Sequence, residues 1–166
     1  MAFGLRGAVV RPRPDGAYDV RMRHGERDLL GHLLGQLREL LTAGSGGGAA
    51  GADVDPVLRR LFPTAYPDDA ELDAEYQGLV RDDLLEGRLA AIDVVEETVD
   101  ADVITEEQLL AWMGAVNDLR LVIGTRLDVS EDQDEIDPDD PDAPLWGAYA
   151  YLAWLLESIV AALADG

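Results

Sequence analysis

Asn117, Asp118 and Arg120, packed within one helical turn, are the densest concentration of polar chemistry in this chain of 166 residues. An amide, a carboxylate and a guanidinium at that spacing can hydrogen-bond a partner, or close into an internal network that orients a neighbouring loop. Arg59 and Arg60 form a second candidate set. They can grip an acidic surface, or pair with carboxylates nearby such as Asp68 and Asp69. These five residues are the expected partner contacts.

Reaction chemistry has less to work with. Ser45, Ser130 and Ser158 all lie outside any G-x-S-x-G elbow. His24 and His32 are eight positions apart, too far along a straight helix to share an ion. Neither E-x-x-H nor H-E-x-x-H occurs, and His32 reads as a surface partner of Asp28. An EF-hand beginning at Asp128 fails, because Gln133 stands where glycine is required and the final glutamate is missing. Glu71 with Glu75, and Glu96 with Glu97, read as solvated helix faces. With no cysteine, thiolate catalysis, thiolate metal sites and disulfides are excluded. The expectation is a non-enzyme with no catalytic residue, no cofactor and no metal.

Charge narrows the partners further. The formal net charge is −21, from 34 acids against 13 bases, and every base is arginine. Such a chain repels phosphate backbones, so direct nucleic-acid binding is disfavoured. The first 27 residues nevertheless carry six arginines and a local charge of +3, while the remainder sums to −24. Arg11, Arg13 and Arg21 therefore either guard the edge of a hairpin or, as the alternative, touch DNA.

The elements that must position these groups follow from periodicity. Leu5 to Arg11 and Ala17 to Arg23 flank Pro12, Pro14 and an Asp15-Gly16 pair, which predicts a β-hairpin. From Glu26 to Thr42 seven leucines fall on one helical face, with Arg27, Asp28, Arg38 and Glu39 outside. Residues 44–54 form a glycine-rich loop; its G-x-G-x-x-G spacing lacks the preceding strand that a dinucleotide site needs. Asp55-Pro56 opens a short helix that Pro63 and Pro67 close. Asp68 or Asp69 caps the next, with Leu72, Tyr76, Leu79 and Val80 as its buried stripe. Asp82 or Asp83 can cap another, carrying Leu85, Leu89, Ile92, Val95 and Val99, or the two can be one rod.

Thr105 and Gln108 form a capping box ahead of Leu109, Trp112, Met113, Val116, Leu119 and Ile123, a core-facing stripe. Residues 128–143 form an acidic loop. The helix from about Pro144 to Ala164 is apolar on nearly all sides, which suits the central helix of a bundle, or one that also faces a second subunit. Its acidic flanks and Glu157 argue against a membrane span. The stretch from Phe3 to Val10 is too interrupted for a signal sequence, so a cytoplasmic protein is expected. The fold class expected is mainly α: one domain over 1–166, a bundle of five to six helices with an N-terminal β-hairpin.

Three segments together resemble one family: DPVLRRLFPTAYPDDAE (Asp55 to Glu71), AWMGAVNDLRLVIGTRLDV (Ala111 to Val129) and the aromatic stretch from Trp146 to Trp154. It is the actinobacterial AosR-like family, formerly a domain of unknown function, and the likeness covers essentially the whole chain. The resemblance implies a helical cytoplasmic protein in transcriptional control of the redox response, acting with a sigma factor. A link to Clp proteolysis is a further implication. The family's redox sensing is attributed to a cysteine pair, which this chain lacks. Met22 and Met113 are poor substitutes, since Met113 belongs to the core-facing stripe. The expected partners are a transcription protein and a second copy of the chain.

Overall fold

The computed structural model describes residues 8–45, 60–128 and 139–166. Its elements are β1 (Val10–Pro12), β2 (Tyr18–Val20), α1 (His24–Ser45), α2 (Ala70–Thr98), β3 (Val103–Ile104), α3 (Glu106–Arg126) and α4 (Ala143–Asp165). The chain is mainly α, as its periodicity implies. Arg60 and Leu61 are also helical, while the expected start of their helix at Asp55-Pro56 lies outside the described residues. So do Arg6, Arg59, most of the glycine-rich loop and residues 129–138 of the acidic loop.

The hairpin closes where Asp15-Gly16 stands. Gly16 has φ 85°, a conformation that costs glycine little, and Asp15 Oδ1 accepts the Ala17 N–H at 3.1 Å. Val10 then pairs with Val20 and Pro12 with Tyr18, placing Val10, Tyr18 and Val20 on the buried face. A strand that the sequence reading did not expect, β3, adds to the other edge of β2, with Ile104 opposite Tyr18. Two residues between a helix and a capping box give no period of their own; the free edge of β2 makes them a strand.

Of the two arrangements open for residues 70–98, two helices or one rod, the structure has the single rod. Asp69 caps α2 by accepting the Leu72 N–H at 3.0 Å, and the helix continues for 29 residues straight through Asp82 and Asp83. At α3 the capping box is formed in both directions: Gln108 N–H to Thr105 Oγ1 at 3.1 Å and Thr105 N–H to Gln108 Oε1 at 2.9 Å. The third helix packs against both α2 and α4, and α1 lies across α2. Leu30, Leu34, Trp112, Leu109, Ile92, Val95, Leu152, Leu155 and Ile159 meet in the interior. Trp112 is fully buried, and its indole N–H donates to Thr98 Oγ1 at 2.8 Å, so the largest core side chain leaves no polar atom unpaired. Met113, expected with that stripe, is only half-buried.

Arg27 is the clearest departure from the expected surface pattern. It was placed outside by its position on the α1 wheel, yet it is 8% exposed. Its guanidinium donates to the carbonyls of Val99 at 2.6 Å, Ala101 at 3.0 Å and Met22 at 3.2 Å, and pairs with Asp102 at 3.1 Å. Hairpin, α1 and the turn into β3 converge there. Five fixed N–H groups can serve that many acceptors, which no apolar side chain could.

The last helix is less central than its composition suggests. By length and apolarity it is the one helix among the described residues that could cross a membrane. One face buries Ala148, Tyr151, Leu152, Leu155, Ser158, Ile159 and Ala162 against the core, and Ser158 Oγ accepts the Val10 N–H at 3.2 Å. Its outer face, with Val160 half exposed, is open.

Replacing Arg27 with Met strands the Val99, Ala101 and Met22 carbonyls in an apolar site. The expected loss is about 3 kcal/mol of stability, measured by urea denaturation. An unchanged unfolding midpoint would show that the guanidinium is dispensable.

Candidate interaction site

The three polar residues of α3 do not form one network. Successive side chains are turned by about 100°, so neighbours in sequence can face different helices. Asp118 points to α2, where Arg88 donates to its Oδ1 through Nη1. Asn117 and Arg120 lie on another side and reach each other at 3.4 Å, a long contact.

Arg88 also donates through Nη2 to the Leu61 carbonyl at 2.7 Å. Its guanidinium carbon sits 5.4 Å from the centroid of the Phe62 ring, and that of Arg81 lies 5.2 Å from the same ring. The carboxylate of Asp118 therefore holds the cation that holds the backbone entering α2. Arg88 was absent from the expected set. The available signal is its spacing: Arg88, Ile92 and Val95 fall at i, i+4 and i+7, on the face that enters the core.

The same face of α2 continues toward its N-terminus with Asp73, Gln77 and Arg81. Asp73 Oδ1 accepts the N–H groups of Ala65 at 2.8 Å and Tyr66 at 3.1 Å, and Gln77 Nε2 donates to the Pro63 carbonyl at 3.0 Å. Polar side chains thus bind residues 60–66 as a strap along the first half of the helix. Because this inner face is occupied by the strap, Leu72, Tyr76 and Leu79 are turned away from the core. They are 41%, 40% and 75% exposed, and Val80 is half-buried, so the expected buried stripe does not exist.

Arg60 is exposed on the strap, and among the described residues no ion pair joins it to Asp68 or Asp69. Asp69 spends its carboxylate on the α2 cap instead. The histidine pairing also differs from expectation. His24 Nε2 lies 3.3 Å from Asp28, whereas His32 meets Gln36 at 3.2 Å. In the arginine-rich N-terminal stretch Arg27 belongs to the core, and Arg13 is neutralised by Asp19 at 2.9 Å and Asp15 at 3.2 Å.

Burial pushes the Asp118 carboxyl above its ordinary range, and the hydrogen bond and charge of Arg88 draw it back only in part. An acid with a raised folded pKa contributes stability that is complete below its unfolded value and is lost as pH rises through the folded one. Asp118→Asn keeps an acceptor for Arg88 but removes the titration. Relative to that variant, the native chain should lose stability as pH is raised upward from the ordinary carboxylate range, read as urea midpoints. A pH-independent gap would contradict the assignment. Asp118→Ala leaves the Arg88 charge without its carboxylate and should cost about 3 kcal/mol, only part of it recovered by Arg88→Met with Asp118→Leu, since that change also removes the donor to the Leu61 carbonyl.

Residues 7–163 match the family described as a domain of unknown function, DUF2017. A protein of Mycobacterium leprae named for the regulator AosR is 30% identical over 165 residues, covering 82% of this chain and 76% of that protein. Proteins of Mycobacterium bovis and Mycobacterium tuberculosis, both named oxidative stress regulator AosR, are 32% identical over 127 residues. That match spans 66% of this chain and 58% of theirs. No solved structure matches. The strap, the paired helices and all but the last two residues of the terminal helix fall inside the matched span, and the chain belongs to the DUF2017 family, together with the mycobacterial AosR proteins.

Proposed function

We propose that this protein is a non-enzymatic, cytoplasmic regulatory module that works by binding a protein of the transcription machinery, with a sigma factor as the first candidate. The names of its relatives support a regulatory role. The observation that carries the binding reading is physical: a chain of net charge −21 leaves Leu72, Tyr76, Leu79 and Val160 on its surface. Scattered single apolar residues are ordinary; three at helical spacing on one face are the mark of an interaction surface. Without cysteine, its part in a redox response is that of a binder rather than a thiol sensor.

Self-association uses a second surface. The outer side of α4 presents Ala150, Val160 and Ala161 with Glu157 as the charge between them, and Trp146 and Trp154 half-buried beside them. On so acidic a protein, a nearly uncharged helix face is where two copies can approach without repulsion. Val160→Arg should convert a dimer to a monomer in light scattering coupled to size exclusion. A native chain that is already monomeric at high micromolar concentration rules this out.

Affinity purification of the full chain from its native host, with mass spectrometry, should recover a sigma factor or an RNA polymerase subunit. Recovery of chaperones alone would overturn the transcription reading, and Clp protease components would move the role to proteolysis. Promoter DNA should not be retarded even at low salt. Steeply salt-dependent retardation that disappears with Arg11→Ala and Arg21→Ala would instead establish direct DNA binding.

A further inference from the structure

The first half of α2 carries a ridge and a groove that share one direction. Leu72, Tyr76 and Leu79 recur at i, i+4 and i+7, and Tyr66 extends the ridge by resting edge-on against Tyr76 at 5.8 Å. One turn further along, Leu85, Leu89 and Ala90, together with Asp82, Glu86 and Asp93, line an open groove of about 480 Å³. Apolar anchors followed by carboxylates describe the complement of an amphipathic helix with basic flanks.

The charges on this face are unequally satisfied. At its far end Arg38 of α1 already lies on the acids, 2.9 Å from Glu96 and also paired with Asp93. Nearer the ridge, Asp82, Asp83 and Glu86 meet no cation among the described residues. The protein thus shows how an arginine seats on this strip, and leaves the next turns open. A second copy would set carboxylates against carboxylates, and an anionic lipid surface would be repelled in the same way.

We propose that the ridge and groove of α2 form the docking surface for a basic amphipathic helix of a protein partner. The proposal rests on the binding role above and names its surface and the chemistry it selects. Apolar residues of the incoming helix cover Leu72, Tyr76 and Leu79, while its arginines or lysines reach Asp82, Asp83 and Glu86.

The test uses the full-length chain and a fluorescein-labelled synthetic helix bearing leucines on one face and arginines beside them. A second peptide with glutamate in place of each arginine serves as control. Anisotropy should rise for the basic peptide only. Leu79→Ser, and separately Asp82→Asn with Glu86→Gln, should each weaken binding about tenfold, the latter also flattening its salt dependence. Glu106→Gln with Glu107→Gln removes the same charge at the start of α3 and should change little. Equal weakening by that control, or binding indifferent to Leu79→Ser, overturns the proposal as general attraction to an acidic protein. All five positions changed are exposed, and unchanged urea midpoints establish that the fold is intact.

Conversion of a dimer to a monomer by Leu79→Ser would show the face to be a self-interface, also against the proposal. If the host partner still co-purifies with the Leu79→Ser chain, the surface is wrong and the binding role stands. If no partner co-purifies with the native chain, the binding role fails while the peptide result decides the surface independently.

Discussion

The buried guanidinium of Arg27 constrains everything around it. Placing a cation at 8% exposure is tolerable only because four backbone carbonyls and Asp102 surround it. Those carbonyls come from the end of the hairpin and from the turn that joins α2 to β3. The guanidinium therefore fixes where α1 starts, where α2 stops and where the third strand lies. From that corner the capping box starts α3, and the indole of Trp112 reaches back to Thr98 at the end of α2. Helices α2 and α3 are thereby joined through a polar bond inside an apolar interior.

A second ionic centre does different work at the other side of the crossing. Asp118 is 8% exposed in its side chain and Arg88 25%, so the pair is partly desolvated and its balance of attraction against dehydration is close. What the pair secures is position: the same guanidinium holds the Leu61 carbonyl and faces Phe62. The strap from 60 to 66 is then tied down by Asp73 and Gln77. This arrangement explains the exposed apolar face of α2, since polar residues took the inner positions there.

Much of the architecture was legible in the residues. The capping box and the Asp15-Gly16 turn are local signals satisfied by neighbours within a few positions, and the leucine face of α1 is legible from its helical period alone. The failures share one cause. Arg27, Arg88, Ile104 and Leu79 have their surroundings decided by partners far away in sequence: Val99, Leu61, Tyr18 and the strap. A helical wheel assigns Arg27 to solvent because it sees only α1, and it assigns Leu79 to the core for the same reason. Asn117 and Asp118 were read as one group because sequence proximity hides the rotation between adjacent side chains. For the interaction surface, composition could show that apolar residues were present but not which way they turned.

At 29 residues and about 1.5 Å of rise each, α2 is a rod of about 43 Å with two unlike supports. Its C-terminal turns carry Ile92, Val95 and Thr98 into the packed interior, whereas its N-terminal turns rest on a strap through carboxylate and amide contacts exposed to water. Such contacts open at far lower free energy than a core. One continuous helix thus has a buried end whose amides should exchange slowly and a water-exposed end whose amides should exchange faster. The molecule can loosen the end it shows to the outside without disturbing the end that keeps it folded.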